Sequence, residues 1–286
     1  MTNKSPPPST VLITGCSTGI GYQCAQQLHK MDYQVIATCR KEQDVQRLNK
    51  QGIFCIQLDL ACSQSIKTAV TLILKQSQGR IDALFNNAAF GLPGAVEDLS
   101  REAMEYQFQT NVFGTQELTN LIVPIMRQQG GGKIIYNSSI LGFAAMPYRG
   151  AYNASKFAIE GFADTLRLEV KQDNIQVSLI EPGPIISDFR KNAFIQFKQW
   201  INMETSAHQQ NYQAMLSRLE TEGSSAPFTL SPEAVTKCVI HALQSQRAKI
   251  RYRVTVPTIV FSLLKRLLPN RLLDILLSKA GGDGKR

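Results

Sequence analysis

Two side chains that could move a proton together, Tyr152 and Lys156, stand four residues apart in Ala151-Tyr152-Asn153-Ala154-Ser155-Lys156. The stretch opens a helix-forming run to Val170, and residues four apart on a helix lie one above the other on a single face. A free phenol titrates at about pH 10 and is a poor acid or base at neutrality. A neighbouring ammonium favours the phenolate, so the pair predicts a phenol with a lowered pKa, within reach of proton transfer. Alone, such a pair is more often a surface contact. Its meaning depends on what the rest of the chain brings beside it.

A second chemical element lies near the start. Thr10 to Thr14 (TVLIT) reads as a short buried strand, followed by Gly15-Cys16-Ser17-Thr18-Gly19-Ile20-Gly21 and a helical stretch to Lys30. Strand, glycine turn and helix N-terminus make a phosphate cradle. Glycines let the backbone approach a pyrophosphate, and the helix end offers free N–H groups and positive dipole. The spacing G-x-x-x-G-x-G departs from the standard dinucleotide fingerprint, so its placement after the first strand carries the reading. Tyr33 to Thr38 is the second strand, whose C-terminal end would face an adenosine ribose. An acid there would bind the 2′-hydroxyl of NAD, but the chain has Cys39-Arg40-Lys41. A guanidinium grips a 2′-phosphate, so NADP(H) is expected through Arg40, with Glu42 or Asp44 as the acids that could intrude.

The remaining elements must position these groups. Gly52 to Leu58 reads as the third strand, ending at Asp59-Leu60 where an adenine would be bracketed, and Ser63 to Gln78 as a helix capped by Ser63. Ile81 to Phe85 is the fourth strand, ending at Asn86-Asn87-Ala88-Ala89. Ser100 to Arg127 is a long amphipathic helical region holding Asn111, either a satisfied structural amide or part of a relay. Lys133 to Tyr136 is the fifth strand and delivers Asn137-Ser138-Ser139. Ile175 to Ile180 is the sixth, followed by the rigid turn Glu181-Pro182-Gly183-Pro184. This alternation predicts an α/β fold: a Rossmann-like, doubly wound parallel sheet of about seven strands with helices on both faces. Residues 1–9 are expected to be a disordered N-terminus and residues 10–286 one catalytic domain.

The set TGCSTGIG (Thr14 to Gly21), NNA (Asn86 to Ala88), Asn111, Ser139, Tyr152-x-x-x-Lys156 and PGPI (Pro182 to Ile185) resembles the short-chain dehydrogenase/reductase family. The motifs occur in the family's order, closely over Thr10 to Ile185, and Ser139 precedes Tyr152 by the family's thirteen residues. Cys39-Arg40, the EPGPI turn and Arg251 to Thr255 look most like its hydroxysteroid and retinol dehydrogenase-like branch and bacterial NADP-dependent aldehyde reductases. The resemblance implies that Tyr152 is the proton donor and Lys156 lowers its pKa and holds the nicotinamide ribose. Ser139, rather than its neighbour Ser138, would polarise the carbonyl, and Asn111 would orient a water that replenishes the proton. It also implies cofactor contacts from Gly15, Ser17, Thr18, Gly19, Ile20, Gly21, Arg40, Asp59, Leu60, Asn87, Ala88, Pro182, Gly183, Ile185 and Ser187. Two departures stand out: Ala89 where the family commonly has Gly, and Ser187 where it often has Thr. The family usually pairs the helices here at Ser100–Arg127 and Tyr152–Val170, which implies a homodimer or homotetramer.

Composition narrows the rest. The 286 residues are 43% hydrophobic and 19% charged, enough for a sizeable core. The six cysteines form no C-x-x-C pair and only three histidines accompany them, so no metal site is expected, and free thiols point to a cytoplasmic location. From Ser245 to Arg286 ten basic residues face two acids, a net +8 of the chain's +9. The body is nearly neutral, which argues against a nucleic-acid partner. Residues 188–228, rich in Phe, Tyr, Trp and Met, read as a lid over a bulky apolar carbonyl or alcohol substrate. Residues 256–279 read as amphipathic and basic, either a packed helical segment or a weak peripheral membrane contact. Two function classes are expected: an NADPH-dependent aldehyde or ketone reductase, and a non-catalytic NADP(H)-binding redox sensor. The intact Ser139, Tyr152 and Lys156 set favours the first.

Overall fold

The computed structural model describes residues 9–220 and 227–281. The stretch expected to be disordered thus lies outside the described residues up to residue 8. In chain order the elements are β1 (Thr10–Ile13), α1 (Gly19–Lys30), β2 (Gln34–Cys39), α2 (Glu42–Lys50), β3 (Cys55–Gln57), α3 (Ser63–Gln76) and β4 (Ala83–Asn86). They continue with α4 (Arg101–Phe108), α5 (Thr115–Gln128), β5 (Gly132–Asn137), α6 (Gly150–Glu169) and β6 (Ile175–Glu181). Last come α7 (Phe189–Trp200), α8 (Gln209–Glu220), α9 (Pro232–Gln244), β7 (Arg251–Arg253), α10 (Val256–Leu267) and α11 (Asn270–Gly281).

All seven strands are parallel, in the order β3-β2-β1-β4-β5-β6-β7. The strands alternate their apolar side chains between two helical layers. Leu12 of β1 points into one core with Ile66 and Ile73 of α3, Leu118 and Ile122 of α5, and Ile159 of α6. Val11 and Ile13 point into the other, with Leu28 of α1, Leu48 of α2 and Val239 of α9. Strand order reverses direction between β1 and β4. At such a switch point the loops leave on opposite sides and open a crevice at the C-terminal strand edge.

The third strand is shorter than its sequence pattern, and the long helical region is not one helix. Between α4 and α5 the chain makes a π turn, Gln109–Gly114. Gly114 lets this turn lie close against a neighbouring loop. A Cβ at this position would stand 1.8 Å from the Leu60 carbonyl oxygen, so the turn lies directly against the loop after β3. A π turn shifts the backbone register and is commonly found at functional sites. Here it carries Asn111.

Candidate active site

The C-terminal edge of β1, β4 and β5 is tied together by one line of hydrogen bonds. Thr14 Oγ1 accepts from the Asn87 and Ala88 N–H groups, each at 2.9 Å. Asn87 Nδ2 donates to the Thr14 carbonyl at 2.9 Å and the Gly15 carbonyl at 3.2 Å. Its Oδ1 accepts from Asn137 Nδ2 at 2.9 Å. The Asn137 carbonyl in turn accepts from Lys156 Nζ at 2.6 Å. The glycine turn and the Tyr-Lys pair, far apart in sequence, are therefore held in one frame.

The glycine turn has no room for side chains. Gly15 and Gly19 take positive φ, +71° and +60°, which favours glycine. A Cβ on Gly15 would lie 2.8 Å from the Ala88 Cα, and one on Gly21 would lie 2.3 Å from the Gly15 carbonyl oxygen. α1 begins at Gly19 with Thr18 at its N-cap, no side-chain cap hydrogen bond and no acid in its first turn. Its uncapped N–H groups and positive dipole end suit a pyrophosphate. These residues fit the cofactor expected there.

Arg40 lies exposed just past β2, its carbonyl accepting from Gln57 Nε2 at 3.0 Å. The acids that could have taken its place are engaged elsewhere. Asp44 pairs with Arg47 at 3.0 Å, and Glu42 accepts from Gln46 at 3.3 Å. Arg47 was missed by sequence reading. Its guanidinium donates to the Ser17 carbonyl at 2.5 Å and lies over the Tyr22 ring, 5.1 Å from its centroid. A second guanidinium thus borders the turn.

The other expected contacts divide. Asp59 caps its own turn by accepting the Ala61 N–H at 2.9 Å. Leu60 is buried in the core of α3, α5 and α6, so only its backbone reaches the edge. Beyond β6, Pro182 accepts the Ile140 N–H at 2.8 Å, and Gly183 is packed on Thr255 and Thr258. Ile185 bridges to Leu230, and exposed Ser187 accepts the Phe189 N–H at 3.4 Å.

Tyr152 and Lys156 do lie on one face of α6, with Lys156 Nζ 5.7 Å from the Tyr152 ring centroid. Lys156 is buried, and burial pushes its ammonium down to about 8, against the raising pull of Glu160 one turn later. The expected lowering of the Tyr152 phenol is not what the fold produces. Desolvation pushes the phenol above its ordinary value, and the nearby Ser139 hydroxyl only partly offsets it. The ammonium itself donates to the Asn137 carbonyl. Ser138, the rival serine, instead faces Glu160 beside Gly142. Asn111 is a satisfied amide: Nδ2 donates to the Phe90 carbonyl at 2.9 Å and to Ser155 Oγ at 3.1 Å, while Oδ1 accepts the Phe90 N–H at 3.1 Å.

Behind this group lies an unexpected charge network. Arg251 of β7 pairs with Glu160 at 3.1 Å, Asp164 at 2.6 Å and Glu181 at 2.9 Å, and Arg253 reaches Glu181 at 3.4 Å. Part of the basic C-terminal charge is therefore neutralised inside the fold. Burial raises the Glu160 carboxyl to about 7. The folded state then holds its proton more tightly than the unfolded chain, whose value is near 4.5. The stability this proton confers is present below about pH 4.5 and is lost as pH rises to about 7. Glu160→Gln removes that titration. Thermal unfolding should show the variant gaining on the wild type between pH 5 and 8, by at most about 3 kcal/mol. A difference that does not change with pH would contradict this assignment.

The segment over the site sorts its aromatic residues into two sets. Phe197, Tyr212 and Met215 are buried in a satellite core with Leu92 and Leu99, so they pack α7 and α8 rather than line a pocket. Tyr212 is latched to Asp98 and to the Ala95 N–H. Phe189 differs: its ring meets the Tyr152 ring edge-on at 5.2 Å, and a Cβ on Gly91 would lie 2.7 Å from it. Residues 221–226 of the expected lid lie outside the described residues.

The short chain dehydrogenase family model matches residues 9–197. The chain belongs to that family. The Escherichia coli (strain K12) oxidoreductase YbbO is 41% identical over 268 residues, covering 94% of this chain and 93% of the relative. Human retinol dehydrogenase 8 is 33% identical over 259 residues, covering 87% and 82%. A short-chain dehydrogenase from Streptomyces avermitilis shares the fold at a TM-score of 0.75, with 22% identity and coverage of 99% and 100%. The chain is thus an oxidoreductase of a family that uses a nicotinamide cofactor. Within the family frame, Ser139 and Tyr152 beside a buried lysine can polarise a carbonyl and hand it a proton.

Proposed function

We propose that this protein reduces a hydrophobic aldehyde or ketone to the alcohol with NADPH. The observation that carries the reading is the placement of Tyr152 and Lys156 on one face of α6, with the lysine tied to the strand end that delivers Ser139 and the phenol kept protonated by desolvation. A phenol held in its protonated form is poised to donate, the role that reduction requires. A bound nicotinamide supplies the hydride to the carbonyl carbon. Ser139 holds the carbonyl oxygen as charge develops on it, and the Tyr152 proton completes the alcohol. Lys156, protonated below about pH 8, stabilises the phenolate left behind and holds the ribose. Asn111 fixes the π turn whose backbone orients the water that restores the proton.

Pyrophosphate contacts fall to Gly15, Ser17, Thr18, Gly19, Ile20 and Gly21, and the 2′-phosphate to Arg40 with Arg47. Asp59 and the Leu60 backbone border the adenine. Asn87, Ala88, Pro182, Gly183, Ile185 and Ser187 surround the nicotinamide half. Residues 188–228 act as the lid, with Phe189 against Tyr152 as the apolar wall. A homodimer or homotetramer through α4, α5 and α6 is supported by exposed Met104, Phe113, Phe157, Phe162 and Leu168. A cytoplasmic location, with weak peripheral contact between the basic C-terminal segment and anionic lipid, completes the reading. Support comes from six free thiols, and no helix among the described residues is long and apolar enough to cross a membrane. Competition among long-chain aldehydes, ketosteroids and sugars for turnover with NADPH tests the substrate class. Preference for the apolar carbonyls is expected; preference for a sugar would overturn it.

A further inference from the structure

The C-terminal helices carry apolar residues on their outward as well as their inward faces. α10 buries Thr258 and Ser262, while Val256, Ile259, Val260, Leu263 and Leu267 stand exposed. Those five positions follow the i, i+3, i+4, i+7, i+11 rhythm of a single helix face. The buried Thr258 hydroxyl is used: it meets Thr255 Oγ1 at 2.9 Å, and both hydroxyls crowd Gly183 at the edge of the site. α11 buries Leu273 and Leu277 and exposes Leu272, Ile275 and Leu276. Phe261 and Leu264 from α10 join Leu273 and Leu277 in one cluster with Ile140, Leu141 and Tyr152. Both outward stripes therefore look away from the active site while the inner faces form its wall.

Leu267 at 77% and Leu263 at 53% exposure are too many aliphatic neighbours to leave in water without a partner. Charge selects the partner. Between 256 and 281 the cations Lys265, Arg266, Arg271 and Lys279 face one acid, Asp274. Lys265 also anchors α10 by donating to the Phe143 carbonyl at 2.6 Å. A second copy on a two-fold axis would set these cations against themselves. The exposed stripe is wholly Val, Ile and Leu, without the Tyr and Trp that anchor protein interfaces. An aliphatic face edged by Lys and Arg matches an anionic bilayer surface.

We propose that the α10–α11 hairpin docks flat on an anionic bilayer, so that an apolar carbonyl substrate reaches Tyr152 from the lipid. The docking stands by itself; the delivery of substrate rests on the reductase reading. The full-length protein is sedimented with phosphatidylcholine vesicles, and with equal parts phosphatidylcholine and phosphatidylglycerol, at low and moderate salt. Binding to the anionic vesicles is expected, weakened by salt. The double variant Leu263→Glu, Leu267→Glu should lose it by at least about ten-fold. The same variant should turn over a water-soluble aldehyde at the wild-type rate and a vesicle-dissolved one more slowly. Absence of sedimentation at low salt, or equal sedimentation of the variant, overturns the docking. So does a double substitution that splits a larger assembly in lipid-free gel filtration, because a second copy then covers the face. Equal turnover of the vesicle-dissolved aldehyde by both proteins overturns the delivery. A protein that docks yet reduces no carbonyl with NADPH refutes the reductase reading and leaves the docking intact.

Discussion

Tyr152→Phe is expected to lower kcat by about two to four orders of magnitude, the usual worth of a positioned proton donor. The substitution removes one oxygen and little else. The ring keeps its edge-on contact with Phe189, and Lys156 keeps its bond to the Asn137 carbonyl. NADPH affinity, read by quenching of the cofactor's fluorescence, should therefore stay close to the wild-type value. Cofactor binding and catalysis would separate cleanly. Loss of both together would mean that the hydroxyl supports the fold rather than the chemistry, and survival of turnover would remove Tyr152 from the mechanism. The pH profile gives a companion readout: reduction should weaken as pH rises through about 8, where Lys156 loses its proton.

Arg47→Ala should raise the KM for NADPH by about ten- to a hundred-fold, the worth of one or two charge-assisted hydrogen bonds to a phosphate. The KM for NADH should change far less, because NADH carries no 2′-phosphate. Arg47 also holds the Ser17 carbonyl, so Arg40→Ala is the necessary companion. Arg40 makes no side-chain bond to the glycine turn among the described residues, and its loss should act on NADPH alone. Steady-state kinetics with both cofactors decide the matter. An equal loss with NADPH and NADH would assign both arginines to the shape of the turn.

How much of this was legible beforehand follows from where the information lies. β1 is a β-branched, apolar run and β4 a short apolar one, both fully buried, so their pattern shows directly in the sequence. The glycine turn and the Tyr152–Lys156 spacing are local, and the fold confirms their geometry. The π turn was not legible, because Gly114 and Leu60 meet only once α4 and α5 are placed against the loop after β3. Arg47 and Asn137 were missed for the same reason: Arg47 donates to the Ser17 carbonyl and the Asn137 carbonyl accepts from Lys156, contacts between segments that no spacing reveals. The Tyr152 phenol was expected to be lowered by its lysine. The direction reversed because a sequence shows which charge is near but not how far burial has removed water. The aromatic residues after β6 looked alike in composition, yet packing sends Phe197 and Tyr212 to a satellite core and only Phe189 to Tyr152.

The most direct test uses NADPH deuterated at the transferable position of the nicotinamide ring, incubated with a hydrophobic aldehyde in ordinary water. Mass spectrometry of the alcohol should find one deuterium on the carbinol carbon and none lost to solvent. An alcohol without deuterium, or no alcohol at all from a protein that binds NADPH, would contradict the account.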